Sequence, residues 1–494
     1  MTAGDVPMRP PTNSLTRWLF LRALAIIYFI AFASLAAQIL GLVGSGGILP
    51  IRDTLQTLQN YYGPQAYNLF PSLVWWNASD GGLLFLTHAG MILSVLLLLD
   101  IAPLFSAALL WGLYLSLVTA GQIFLRYQWD LLLLETGFLA ILLAPPHIVP
   151  RRSAQRSPSP LNIWLLRWLL FRLMFSSGVV KLTSGDPTWA NLTALTYHYT
   201  TQPLPTPLAW FMHQLPLPFQ QASAAFMFGV ELILPLFIFG PRRLRWIAAA
   251  GIAALQVLIA LTGNYTFFNL LALALCIPLL DDAFLRRLLP GVLTARFDST
   301  PVRLPAYRRA LLGLVAALVF ALGGIQMLYR VIGRTGLPEP VLNVVNFLAP
   351  LRIANSYGLF AVMTTTRPEI LVEGSNDGQT WQAYRFKDKP GDLQRPPPWV
   401  APHQPRLDWQ MWFAALGPPS QSPWFSAFVQ RLLEGKPDVL ALLETNPFPD
   451  APPRYVRAQL YDYQFTTMEE RSQTGAWWTR QLIGEYVPAT ALAR

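Results

Sequence analysis

The chain has 494 residues, 53% of them hydrophobic and 13% charged, which is too apolar for a soluble globular protein. Its formal net charge of +10 falls wholly in residues 1–330, where 21 Lys and Arg stand against 11 Asp and Glu; residues 331–494 balance at 15 against 15. The basic groups sit at loop ends and form no continuous patch, which excludes nucleic acid as a partner.

A membrane-crossing helix needs roughly 20 apolar residues. Runs of that kind are predicted at 18–43, 83–99, 101–119, 131–144, 161–182, 222–239, 246–261, 266–280 and 310–328. The chain therefore reads as a polytopic α-helical membrane protein of about nine spans, the lipid bilayer being its first partner. The first run is long and is read as a retained span, not a removed signal. Basic residues stay on the cytoplasmic side of short loops. With the N-terminus inside, Arg9, Arg17, the groups Arg151, Arg152, Arg156 and Arg242, Arg243, Arg245, then Arg286, Arg287, Arg296, Arg303, Arg308 and Arg309 all fall there. The opposite loops carry little beyond Arg52 and Arg126, and the C-terminal region is expected outside.

Three regions follow in chain order. Residues 1–120 hold the first helices and an exterior loop at 44–82, whose paired Trp75 and Trp76 suit a membrane interface. Residues 121–336 form the core membrane domain, with a Pro-studded aromatic exterior segment at 183–221 and an arginine-rich cytoplasmic loop. Residues 337–494 read as an extracytoplasmic β-rich domain: two strands up to a hairpin at Asn376-Asp377-Gly378, a third strand, a helical insertion stopped by Gly435, and two strands near the end. Cys276 is the single cysteine, so no internal disulfide forms. The sequons at Asn77, Asn191 and Asn264 are too short to carry weight.

Charged groups within spans are functional-site candidates by default. Four stand out: Glu135, Arg172, Lys181 and Glu231. With a rise of ~1.5 Å per residue, Arg172 and Glu231 lie at similar depth, roughly 15 and 14 Å below their outer ends, and are expected to form a structural ion pair. Glu135 lies between Arg172 and Lys181 in depth and reaches either one. Gln128, Asp130, Asn191, His198 and His213 are expected to close a polar chamber above these charges. Lys181 is the only lysine before residue 387 in a chain with 32 arginines. It has two readings: a side chain snorkelling to the headgroups, or a base, since lysine can lose its proton and arginine cannot. Catalytic candidates are thus Lys181, Glu135 and His198. No residue spacing suggests a metal site, and no cofactor is implied.

The segments 126–140, 169–210, 262–271, 359–381 and 401–416, among them "SSGVVKLTSGDPTWANLT" and "APHQPRLDWQMWFAAL", together resemble the lipase maturation factor family. The resemblance implies a multi-pass membrane protein, of the endoplasmic reticulum in animals, whose lumenal C-terminal domain assists folding of secreted lipases. Heavy Ala, Arg and Pro use points to a bacterial relative in the cytoplasmic membrane. More distantly, "SGVVKL" followed by a tryptophan resembles the membrane domain of vitamin K-dependent gamma-carboxylases, where a lysine at the place of Lys181 is the catalytic base. The leading expectation is a maturation factor for exported, lipase-like clients, with Arg406, Asp408, Trp409 and Trp412 as client-contact candidates, the other reading of Trp409 and Trp412 being ordinary packing into the domain core. The alternative is a membrane-embedded enzyme using Lys181.

Overall fold

The structure is a computed structural model that describes residues 12–150, 157–294, 297, 305–332 and 338–492. The expectations for Arg9, Arg151, Arg152, Arg156, Arg296 and Arg303, and the start of the third region at 337, lie outside these residues.

The membrane part is a helix bundle. Its helices are α1 (Ser14–Ala36), α2 (Asp80–Leu98), α3 (Pro103–Ala120), α4 (Gln128–Leu143), α5 (Pro160–Thr183), α6 (Leu217–Phe237), α7 (Arg242–Thr262), α8 (Phe268–Leu279) and α9 (Ala306–Ile332). Among the described residues seven helices are long and apolar enough to cross a membrane, eight if α8 and the helix Asp282–Leu288, bent by 117° to it, count as one span. The expected nine is corrected on this count. The helix expected at 131–144, here α4, has only 16 residues. It runs inside the bundle with most of its side chains buried, so neighbouring protein covers what a lipid-facing helix would need its own length to cover.

Local sequence explains several helix starts. Ser79 and Ser159 cap α2 and α5 through their hydroxyls, and Pro160 fills the first turn of α5, where its missing N–H costs nothing. The start of α1 is satisfied from a distance: Asp282 accepts the backbone N–H groups of Ser14, Leu15 and Thr16 at 2.9, 3.1 and 3.0 Å. This contact places the helix Asp282–Leu288, with Arg286 and Arg287 in its last turn, at the same end of the bundle as the start of α1.

After α9 come a short helix α10 (Glu339–Leu348) and a four-stranded antiparallel sheet in the order β2-β1-β5-β6. Its strands are β1 (Pro368–Ser375), β2 (Gln382–Ala383), β5 (Tyr455–Phe465) and β6 (Trp478–Thr490); β3 (Arg385–Phe386) and β4 (Leu443–Thr445) form a separate pair. The hairpin at Asn376-Asp377-Gly378 forms as expected, with Gly378 at φ +72° and Asp377 accepting from Gln379 and Thr380. The additional strand expected before β1 is absent, because residues 359–366 leave the sheet to bind the bundle. The inserted helices are α11 (Arg406–Ala415) and α12 (Pro423–Leu433), and Gly435 at φ +65° follows α12.

Candidate functional site

The four charges of the membrane core form two buried ion pairs, with partners exchanged relative to the expectation. Arg172 binds Glu135, and Lys181 binds Glu231. The depth comparison takes the outer ends of α5 and α6 as level, but they are not. Helix α6 begins at Leu217 and stands beside the helix Ala194–Thr201, so Glu231 sits far along α6 and yet meets the last turn of α5. Two further features bring it there. Residues Gly229–Ile233 form a π-turn, since Pro235 has no N–H for the Glu231 carbonyl. Gly178 on α5 permits the contact, because a Cβ there would lie 2.7 Å from Leu232 and 3.1 Å from the Glu231 Cβ.

The Lys181 pair has a closed set of partners. The Lys181 Nζ donates to Glu231 Oε2 at 2.7 Å, to Oε1 at 2.9 Å and to the Ser177 carbonyl at 3.3 Å, and it lies 5.4 Å from the Trp189 ring. That uses every ammonium proton and leaves the carboxylate bidentate. Lys181 is 5% exposed, so it does not snorkel. Arg172 is set between the rings of Trp168 and Tyr357 and also donates to the Asn355 carbonyl at 3.0 Å. Glu135 Oε2 accepts from the Asn355 N–H and the Tyr357 hydroxyl, both at 2.8 Å. A pair expected to be internal to the membrane domain is thus completed by residues beyond α10.

The polar chamber expected above these charges is filled by the chain itself. Gln128 exchanges two 3.2 Å hydrogen bonds with the backbone of Gly358. Asp186 caps the helix Pro187–Ala190 and accepts from the Met363 N–H at 2.5 Å, while the Trp189 indole donates to the Phe360 carbonyl at 2.9 Å. Asp130 accepts both ends of the Arg406 guanidinium at 3.0 and 2.9 Å and the Tyr114 hydroxyl at 2.6 Å. Burial opposes the Arg406 charge, but the facing carboxylate outweighs it and raises the pKa. Arg367 donates to the carbonyls of Thr200, Gln202 and Pro203 and to Glu369, which Lys389 also binds. Asn264, one of the sequon residues, is 2% exposed and holds the backbone of Pro398, Val400 and Ala401. Asn191 and Asn77 are exposed.

His198 does not hydrogen-bond to Lys181. Its Nε2 meets the Tyr265 hydroxyl at 3.2 Å, and that hydroxyl donates to Gln202 at 2.9 Å. Burial first, then the charge of Lys181, pushes its pKa down to about 4, so the ring is neutral. His213 meets the Thr200 hydroxyl at 3.2 Å and is also shifted down by burial.

The client-contact candidates are corrected. Arg406, Asp408, Trp409 and Trp412 are 1, 2, 3 and 7% exposed. Trp409 packs edge-on to Trp129 at 4.6 Å, Trp412 donates to the Thr201 carbonyl at 2.9 Å, and Asp408 accepts the N–H groups of Asp388 and Lys389, both at 2.9 Å. This helix faces the bundle and not the solvent. Its bond to Asp130 spans 276 positions, and the sequence assigned the two residues separately, Asp130 to the polar chamber and Arg406 to a client surface.

Apart from the Arg172–Glu135 pair, which lies midway along α4 and α5, these contacts lie at one end of the bundle: the ends of α1, α5 and α7 and the starts of α4 and α8. Gln38 at the end of α1 accepts the Arg406 N–H at 2.9 Å, whereas the helix Asp282–Leu288 meets the start of α1. The C-terminal domain and the helix bearing Arg286 and Arg287 therefore meet opposite ends of α1.

The chain matches the family models for the lipase maturation factor transmembrane domain over residues 15–287 and the lipase maturation factor C-terminal domain over residues 353–488. Lipase maturation factor 2 of Mus musculus is 40% identical, with 96% of this chain and 83% of that protein covered. The Homo sapiens protein of the same name is 40% identical over 97% and 83%. Lipase maturation factor 1 of Mus musculus is 34% identical over 99% and 90%. No solved structure matches. With both halves of the family matched, in order and on either side of the buried seam just described, this chain belongs to the lipase maturation factor family.

Proposed function

We propose that this chain is a membrane-anchored factor that assists the maturation of exported lipases, the activity its relatives are named for. The observation that carries this reading is the seam. Four charged groups of the membrane part, Asp130, Glu135, Arg172 and Asp186, are completed by residues from 355 onward, so the bundle acts as a rigid mount for the C-terminal domain. The positive-inside bias supports an N-terminus in the cytoplasm and a C-terminal domain on the far side, where exported clients fold; the arginine-rich composition supports a bacterial cytoplasmic membrane. The geometry gives no support to base catalysis by Lys181, whose ammonium is held by both oxygens of Glu231.

The test is co-expression of the full chain with a secreted lipase in a host lacking it, scored as lipase activity per unit of lipase antigen exported. Lys181→Arg preserves the ion pair but removes a titratable base, and it should keep most of the maturation activity. Arg406→Met should lose most of it. Loss of activity in Lys181→Arg with normal folding would instead favour the enzymatic reading, and unchanged lipase activity without the chain would end the proposal.

A further inference from the structure

We infer that the membrane part carries a binding site for an anionic phospholipid in the leaflet nearest the C-terminal domain. Between α9 and α10 lies a shallow groove open to the surface, lined by Leu322 and Gln326 on one side and by Val345, Leu348, Ala349 and Ile353 on the other. Helix α10 is amphipathic, and it leaves Val344 and Phe347 48 and 76% exposed beside the lipid-facing surface of α9. The groove is thus continuous with the bilayer-facing surface, and its apolar lining suits an acyl chain.

Its mouth is basic. Arg352 follows directly on the groove and has a left-handed backbone at φ +55°, a conformation residues other than glycine rarely adopt. Asn355 donates to the Arg352 carbonyl at 2.9 Å and to the Leu131 carbonyl at 3.3 Å, which ties Arg352 to the first turn of α4, just after the exposed Arg126. No ion pair to any described residue engages either guanidinium. Burial, then the charge of Arg126, lowers the pKa of Arg352, so the two cations repel each other without a counter-ion. A phosphodiester would relieve that repulsion, and guanidinium groups recognise phosphate with paired hydrogen bonds. Two further donors lie nearby: among the described residues the Trp111 indole N–H and the Tyr329 hydroxyl are buried without an acceptor, and both residues pack against the Leu322, Val345, Ile353 cluster. Ester and phosphate oxygens would supply what they lack.

The test uses the full chain in nanodiscs of equal phosphatidylglycerol and phosphatidylcholine, with retained lipid identified by native mass spectrometry. The wild type should enrich phosphatidylglycerol by about tenfold, as expected of two arginines that face one phosphate. The double variant Arg126→Gln, Arg352→Asn, in which asparagine tolerates the left-handed backbone, should return the ratio to that of the bulk with an unchanged melting temperature. Ala349→Leu, which fills the groove and leaves both charges, should reduce retention of both lipids. A wild-type ratio equal to the bulk, or enrichment that survives the double variant, overturns the inference. Saturable binding of inorganic phosphate in phosphatidylcholine discs, without phosphatidylglycerol enrichment in the mixed ones, would assign the site to a soluble anion and overturn the lipid.

Discussion

At the residue scale, the buried charges are more informative as pairs than as single groups. A buried ion pair stabilises little over a well-packed apolar pair, but losing one partner strands a charge at a cost of about 3–5 kcal/mol. Lys181→Met and Glu231→Leu should each lower the thermal unfolding midpoint in detergent markedly, and the double variant should recover most of the loss. A double variant as unstable as either single one would contradict the pairing. Three histidines at the seam, His198, His213 and His403, have pKa values lowered by burial, that of His198 to about 4. An unfolded histidine titrates near ~6.5 and so binds more protons than these folded ones between the two values. Their neutral forms therefore contribute full stability above about pH 6.5, and that contribution falls as the pH drops toward 4. Unfolding midpoints measured from pH 7.5 to 4.5 should decline, and His198→Asn should flatten the decline; a profile with no slope in that window would rule this out.

At the element scale, the contact between α5 and α6 depends on small side chains and a broken helical period. Ser176, Ser177 and Gly178 are small residues that let helices approach closely, and what approaches is the π-turn carrying Glu231. Gly178→Val has nowhere to place its methyl groups, and overpacking of this kind costs about 1–3 kcal/mol. It should also separate Lys181 from Glu231. Gly112 on α3 is a matched control, since a Cβ there meets nothing within 4 Å, and Gly112→Ala should leave the unfolding midpoint unchanged or slightly raised. Equal effects at the two glycines would mean that the helix contact does not set the pairing. The same scale accounts for the span count: a window of apolar residues marks a helix, but whether it faces lipid or protein depends on its neighbours, as α4 illustrates.

At the scale of the whole molecule, buried ion pairs and hydrogen bonds join the C-terminal domain to the bundle. Truncation before residue 337 would strip Asp130 of Arg406 and Glu135 of its Asn355 and Tyr357 donors, exposing unpaired charge at the mouth of the bundle. The truncated bundle should therefore be recovered from membranes in much lower yield and with faster proteolysis than the full chain; equal yield and protease resistance would show two independent units. The sequence by itself determined the class of the molecule, because apolar runs, basic loop ends and turn residues such as Gly378 and Gly435 act over a few neighbouring positions. It also singled out Glu135, Arg172, Lys181 and Glu231, because charge within apolar runs is costly wherever the helices go. Only the tertiary structure decided which of these charges meet, that 359–366 becomes a docking segment, and that Arg406, Trp409 and Trp412 face inward. Those outcomes depend on relative helix offsets and on contacts between residues more than 200 positions apart, such as Asn355 with Glu135 and Arg406 with Asp130. Such contacts have no local period, since a side chain's burial is set by what folds over it.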